Sequence, residues 1–112
     1  MREGTTPTLR CSIGGYDLTE VSFFITFTNS KGEMKTFTND DEFIVVSADQ
    51  DGTYFDIYFS QEETFWLGTG LVTVQIRWIN SDNQAYATDE ASFNVRPVSF
   101  KKVISFTGGG GT

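Results

Sequence analysis

The sequence predicts an all-β fold, an antiparallel β-sandwich of about seven to eight strands with one short helical turn. Apolar and polar residues alternate in several short runs, and this period of two is typical of strands that bury one face. Turn-forming clusters separate the runs at intervals of about eight to twelve residues. The composition agrees, because 11 of the 112 residues are Phe and Val, Ile, Thr and Tyr also favour strands.

Five short runs near the start predict the first five strands, at residues 8–13, 21–28, 33–38, 43–47 and 53–60. The run at residues 33–38 is short and polar, which predicts an edge position in its sheet. Gly52 precedes the fifth strand, where a glycine can adopt positive φ in the turn. Pro7 precedes the first strand, a position that suits a residue without a backbone donor.

One short helix is predicted after the fifth strand. Ser60 and Glu63 have the spacing of a capping box, in which each side chain bonds to the backbone of the other residue. The helical turn then runs through Leu67 and ends at Gly68. We expect Phe65 and Trp66 to plug one end of the core.

The most regular pattern lies in residues 70–95, where Val72, Val74, Ile76 and Trp78 occupy every second position. The turn formers at residues 81–84 follow, and alternation resumes at residues 91–95. This arrangement predicts a long antiparallel hairpin with a four-residue connection. Trp78 should be buried, with Val74 and Ile76 in the same core as Phe23 and Ile25.

The end of the chain is less regular. Residues 98–106 could form a further strand, although the alternation slips at Lys101 and Lys102. Residues 107–112 form a Gly-rich tail with no reason to order alone. We therefore expect a single sandwich domain over residues 1–106. It is immunoglobulin-like in the broad sense, although the Cys…Trp…Cys spacing of antibody domains is absent, and a small barrel is the alternative.

The net charge argues against some partners, and the apolar runs argue against secretion and membrane insertion. The formal net charge is −7 and no cluster of Lys or Arg is present, so nucleic acid and anionic membrane surfaces are not expected partners. The start of the chain lacks the apolar core of a signal peptide, and no run is long enough to cross a bilayer. We expect synthesis in the cytoplasm.

The residues available for chemistry are few. The chain contains no His, which removes the commonest general base and the commonest metal ligand. Its acidic residues cluster in predicted turns and at the helix start: Asp40, Asp41, Glu42, Asp49, Asp51, Glu62 and Glu63. Solvated loops explain them, and calcium would need more of the twelve-residue ligand series. We expect no catalytic residue, no metal and no cofactor, and we expect Cys11 to be a buried free thiol.

Several apolar side chains fall out of phase with the predicted core. The core phase contains Phe23, Phe27, Phe55, Phe59, Trp78 and Phe93, and the opposite phase contains Phe24, Tyr54, Tyr58, Leu71 and Ile79. Single exposed apolar residues are ordinary. Several on one face would instead indicate a protein interface or a platform for stacking sugars.

Three blocks of sequence carry a family resemblance. They are the R-x-G-T-T-P-T start at residues 2–8, the block at residues 60–64, and residues 72–77 followed after a polar turn by residues 85–88. In this order they resemble small proteins of gut Firmicutes and their phages. The layout is also similar to the immunoglobulin-like N-terminal domain of phage baseplate upper proteins. The Gly-rich tail departs from this pattern.

The resemblance implies a structural or accessory protein of a bacteriophage virion, associated with capsid or tail and without enzymatic activity. Its partners would be other phage structural proteins, further copies of itself in a homo-oligomer, or both. The candidate interface contains the out-of-phase residues and the N-terminal arm: Leu71, Ile79, Tyr54, Tyr58, Phe24, Arg2, Thr5 and Thr6. We expect a neighbouring molecule to order this arm or the glycine tail.

Two other classes remain open from the sequence. A carbohydrate-binding or adhesin-like sandwich would use exposed Tyr54 or Tyr58 as a stacking platform. A small hydrolase that uses paired carboxylates is the more distant alternative, because one carboxyl would have to be buried in a shaped pocket.

Overall fold

The computed structural model describes residues 1–106, which form two antiparallel β-sheets and one short helix. The elements in chain order are β1 (Thr8–Gly14), β2 (Ser22–Thr28), β3 (Met34–Thr38), β4 (Ile44–Asp49), β5 (Gly52–Tyr58), α1 (Gln61–Leu67), β6 (Gly70–Ile79), β7 (Ala85–Ala87) and β8 (Ala91–Val95). The predicted all-β sandwich is confirmed. The predicted edge position of the third strand is also confirmed, because β3 pairs only with β2.

The strand order is that of an immunoglobulin-like sandwich. The smaller sheet has the order β1-β5-β4, and the larger sheet has the order β3-β2-β6, with β7 and β8 both paired to the far side of β6. These positions correspond to strands B-E-D in one layer and C′-C-F-G in the other. No strand of the described chain pairs with the free edge of β1, the place of strand A. The residues before β1 instead make a parallel bridge between Arg2 and Arg96, just after β8.

The core lies between the inner faces of β2, β5 and β6. Trp78 is 6% exposed, and Val74 and Ile76 belong to the same core as Phe23 and Ile25, as the alternation predicts. The two layers meet directly where the Phe23 and Phe55 rings make an edge contact at 4.9 Å between centroids. The predicted phase of the strands is therefore correct.

The predicted hairpin is correct in outline and wrong in detail. The turn at residues 81–84 leads into β7, and β8 follows after an interruption at residues 88–90. Arg77 lies opposite Ala87 whereas Val74 lies opposite Ala91, so the returning chain contains one extra residue. This is a β-bulge, and period-two alternation alone does not reveal it.

The helix has the predicted ends. The Ser60 hydroxyl accepts a hydrogen bond from the Glu63 amide at 3.1 Å, the Glu63 carboxylate accepts one from the Ser60 amide at 2.8 Å, and Gly68 ends the helix with a φ of 70°. The expected plug is met in part: Trp66 is half-buried and packs against the core, whereas the fully buried residues of α1 are Thr64 and Leu67.

Both ends of the described chain depart from expectation. Residues 98–106 contain no strand, which corrects the prediction of a further strand there. The N-terminal arm is held by its own chain, since the Glu3 amide bonds to the Arg96 carbonyl and the Arg96 amide bonds to the Met1 carbonyl. The glycine tail lies outside the described residues, so its expected ordering by a neighbour stays a prediction. No helix in residues 1–106 has the length and apolar character needed to cross a membrane.

Candidate interaction surfaces

The predicted interface residues occupy three separate places. Phe24, Leu71 and Ile79 lie on the outer face of the larger sheet, and Tyr54 and Tyr58 lie on the outer face of the smaller sheet. Arg2, Thr5 and Thr6 lie in the N-terminal arm, with exposed side chains. Because the two outer faces point away from each other, a single contact cannot use all of these residues.

Phe24 and Ile79 form one apolar site on the larger sheet. Phe24 lies opposite Arg77, and Ile79 lies opposite Ala85 across the β6–β7 pair. Together with Trp78, these residues line a shallow cavity of about 290 Å³. Phe24 is 42% exposed and Ile79 is half-buried. This cavity is the most concentrated apolar feature among the predicted interface residues.

Leu71 does not join that cavity. It is 52% exposed and lies opposite Asn94 at the other end of β6. Ile79 lies eight positions further along β6, a distance of roughly 27 Å along an antiparallel strand. The intervening outward residues of β6 are Thr73, Gln75 and Arg77, all polar. Leu71 and Ile79 therefore share a face but not a patch.

The smaller sheet presents a mixed aromatic and charged surface. Arg10 pairs with Asp56 through two hydrogen bonds of 2.7 and 2.8 Å, and its guanidinium lies 4.9 Å from the centre of the Tyr54 ring. The hydrogen bonds from Arg10 hold the pKa of Asp56 below its usual value. Tyr58 and Val45 are about half exposed on the same face. Tyr58 therefore offers an open ring, whereas Arg10 covers one side of Tyr54.

The N-terminal arm uses most of its polar groups within the chain. The Arg2 guanidinium donates to the Pro97 carbonyl at 2.8 Å, and the Thr5 hydroxyl donates to the Arg2 carbonyl. The Thr5 carbonyl accepts a hydrogen bond of 3.0 Å from the Thr64 hydroxyl. These contacts connect residues 2–8 with residues 60–64, two of the blocks that carry the family resemblance.

A groove that the strand pattern did not predict runs along the open edge of the sandwich. It has a volume of about 520 Å³ and lies between β1 and the returning chain at residues 88–93. Its inner wall consists of apolar side chains that face the core: Leu9, Cys11, Ile13, Val74, Ile76 and Phe93. The groove occupies the place of the missing strand A. A sequence signal exists, because residues 1–7 do not alternate.

Cys11 lies in this groove as a free thiol. It is half-buried, so the expected full burial is only partly met. Burial raises the pKa of the thiol to about 11, which keeps it protonated near neutral pH.

An aromatic cluster at one corner was also missed by the strand pattern. Tyr86 stacks on Trp78 at 5.6 Å between ring centroids, and Tyr16 lies 5.8 Å from Trp78. Tyr16 comes from the loop after β1 and also lies 6.3 Å from the Tyr86 ring. Tyr16 and Tyr86 remain partly exposed. Predicting this cluster from the sequence would have required knowing that Tyr86 of β7 pairs with Trp78 of β6.

The acidic residues lie in local turns, as their sequence positions indicate. The Asp41 carboxylate accepts from the Thr38 amide at 2.7 Å, and the Asp49 carboxylate accepts from the Asp51 amide at 2.8 Å. Within residues 1–106, no group of three or more acidic or Cys side chains is placed to hold a metal ion. These carboxylates stabilise turns and form no shared centre in the described chain.

Comparison with known proteins gives no assignment. No protein-family model matches the chain, and the search of curated proteins finds no significant match.

Proposed function

We propose that this chain is a non-enzymatic structural or accessory protein of a bacteriophage virion, associated with capsid or tail, and that it acts through protein–protein assembly. The observation that carries the assembly part is the distribution of its exposed apolar side chains. They lie on both outer faces of the sandwich and along residues 98–106. The densest group is Phe100, Val103, Ile104 and Phe106, within seven residues, and clustered exposed apolar side chains are typical of protein contacts.

The virion part of the proposal rests on the sequence resemblance, and the blocks that carry it make contacts within the fold. The first and second blocks meet where the Thr64 hydroxyl bonds to the Thr5 carbonyl. Within the third block, the Gln75 side chain bonds to the Thr88 carbonyl at 3.0 Å. Gly4 of the first block lies under the Phe65 ring, where an added Cβ would be 2.8 Å from the nearest ring atom. The shared residues thus serve one architecture.

The proposal is tested by mass spectrometry of phage particles purified from cells that carry the gene. We expect the chain to co-sediment with capsid and tail proteins in a fixed ratio to them. The genes beside it should encode portal, capsid or tail proteins. A chain that stays in the low-mass fraction while capsid and tail proteins sediment would contradict the proposal.

A carbohydrate-binding or adhesin-like module is the second candidate, and one observation favours it. Tyr54 and Tyr58 lie on one sheet face with polar neighbours, a composition that suits sugar stacking. Because Arg10 already covers Tyr54, only Tyr58 offers an open ring. A glycan-array signal that disappears in Tyr58→Ala and persists in Leu71→Ala would favour this candidate. Absence of any signal in the wild-type chain would count against it.

A further inference from the structure

We propose that two copies of this chain associate by strand exchange, in which residues 102–106 of one copy add to the free edge of β1 in the groove of the other. The proposal rests on an unpaired apolar segment and an unfilled strand position in the same chain. It goes beyond the virion proposal, because the purified chain alone can carry out the exchange.

The acceptor is the edge of β1 that faces away from β5. The Phe59 amide bonds to the Pro7 carbonyl and the Gly15 amide bonds to the Asp51 carbonyl, which fixes the alternation of the ladder between them. Leu9, Cys11 and Ile13 therefore bond to β5. The backbone groups of Thr8, Arg10 and Ser12 point outward, and no described residue pairs with this edge.

The groove beside this edge has the dimensions and lining for a strand. Residues 9–13 form its β1 wall, a length of five residues. Leu9, Cys11 and Ile13 are only half-buried although they face the core. A strand added there would supply the missing backbone bonds and cover these side chains, the combination used in β-strand addition.

The donor segment is apolar and has no sheet partner. Of the eleven large hydrophobic side chains that are exposed in residues 1–106, three lie in this segment, Val103, Ile104 and Phe106, and Phe100 lies just before it. Phe106 is 89% exposed. Ile104 and Phe106 alternate with Val103 and Ser105, so one face of an extended segment would carry Ile104 and Phe106 into the groove.

Few contacts hold the donor segment in place, and those contacts lie outside the groove of the same chain. Lys101 pairs with the buried carboxylate of Glu3 and fixes the start of the segment. Beyond Lys101, its described hydrogen bonds are the two between the Gln61 side chain and the Ile104 backbone, at 2.7 and 2.8 Å. Neither Glu3 nor Gln61 lines the groove. Residues 102–106 can therefore leave while Lys101 keeps Glu3 neutralised.

The charges of donor and acceptor are complementary. Asp89 and Glu90 are exposed at the rim of the groove, and neither of the two described ion pairs involves them. Lys102 is the one charged residue of the donor segment. Pairing Lys102 with this acidic rim would favour insertion of the segment and would weaken with added salt.

Cysteine cross-linking tests the exchange, because Cys11 is the only cysteine of the chain and lies in the groove. In the full-length protein, Ile104→Cys or Phe106→Cys should give a disulfide-linked dimer under oxidising conditions, through Cys11 of the other copy. Ser105→Cys is the matched control, because its side chain would point away from the groove. Adding Cys11→Ser to Ile104→Cys should abolish the heterodisulfide, which peptide mapping identifies.

Sedimentation velocity gives the second readout. The wild-type chain should form dimers or larger species as its concentration rises, and Ile104→Asp/Phe106→Asp should shift it at least tenfold towards monomer. Ser12→Pro, which removes an outward amide of β1, should do the same while a thermal melt confirms folding. A monomeric wild-type chain at high concentration would overturn the proposal. A disulfide within one copy, or equal cross-linking by Ser105→Cys, would also overturn it.

Discussion

Gly52 lies where the turn between β4 and β5 comes closest to β1. Its φ is 148°, and a Cβ at this position would lie 2.1 Å from the Ile13 carbonyl oxygen. A strained backbone conformation alone costs about 1–3 kcal/mol. We expect Gly52→Ala to lower the free energy of unfolding by more than this, because the clash with Ile13 adds to the strain. Urea unfolding would measure the change.

Gly15 provides the matched control. Its φ is 82°, but an added Cβ would meet no atom within 4 Å. Gly15→Ala should therefore cost only the strain of a left-handed conformation, about 1–2 kcal/mol. Equal effects of the two substitutions would show that the close approach to Ile13 is not what requires glycine at position 52.

Cys11 should react slowly with alkylating reagents in the folded chain. A thiol pKa of about 11, compared with an ordinary value of 9.0, reduces the thiolate fraction at pH 8 about a hundredfold. The higher nucleophilicity of the more basic thiolate recovers about tenfold, which leaves alkylation at least about tenfold slower than in urea. Mass spectrometry of iodoacetamide-treated samples would measure both rates.

The pH dependence gives a separate check on Cys11. Because its pKa is raised to about 11, the alkylation rate of the folded chain should continue to rise above pH 9, where an ordinary thiol begins to level off. A plateau near pH 9, or equal rates in native and urea-unfolded samples, would contradict the assigned environment of the thiol.

At the scale of single residues, the sequence predicts which way a side chain faces but not what it touches. The alternation correctly places Trp78 inward and Phe24 outward. Arg10 covers the Tyr54 ring because β1 and β5 pair in one register, which places Arg10 opposite Asp56 and Ser12 opposite Tyr54. That register involves strands more than forty residues apart in the chain, and no local pattern specifies it.

Among the elements, we expect the β-bulge to depend on a single side chain, that of Thr88. The Thr88 hydroxyl accepts a hydrogen bond of 3.1 Å from the Ile76 amide, and the Thr88 amide donates to the Ile76 carbonyl at 2.9 Å. Thr88→Val keeps the shape of the side chain but leaves the buried Ile76 amide without its acceptor. We expect a loss of about 1–3 kcal/mol in the free energy of unfolding, measured by urea denaturation.

Thr73→Val is the control for this substitution. Thr73 lies on the outer face of β6 and its hydroxyl makes no hydrogen bond among the described residues. The substitution should change stability by less than about 0.5 kcal/mol. If Thr88→Val is as mild as Thr73→Val, the Thr88 hydroxyl does not sustain the bulge.

Elements with local signals are predicted better than elements that need a partner. The helix follows from Ser60, Glu63 and Gly68, whose bonds all lie within one short segment. A strand instead needs a neighbouring edge, which its own sequence does not supply. Residues 98–106 have strand-like residues but pair with no strand of the described chain, and this is why the predicted extra strand is absent there.

For the molecule as a whole, the sandwich separates the predicted interface into independent surfaces. The alternation predicts which residues face outward, yet it cannot show that Tyr54 and Tyr58 belong to one sheet and Phe24 and Ile79 to the other. The net charge of −7 opposes association of free chains. A partner must therefore provide either apolar complementarity at one surface or a positive surface of its own.

The cavity beside Phe24 is the surface on which we expect a virion partner to bind. Phe24→Glu should reduce incorporation into particles at least about tenfold, a loss typical when an apolar residue central to an interface is removed. Leu71→Glu is the matched control, since it introduces the same charge on the same sheet face about 20 Å away along the strand, Phe24 lying opposite Arg77. The two residues are similarly exposed, at 42% and 52%, so both variants should fold, which thermal melts can verify. Incorporation would be measured by mass spectrometry of purified particles, and equal incorporation of the two variants would exclude the Phe24 cavity as the binding surface.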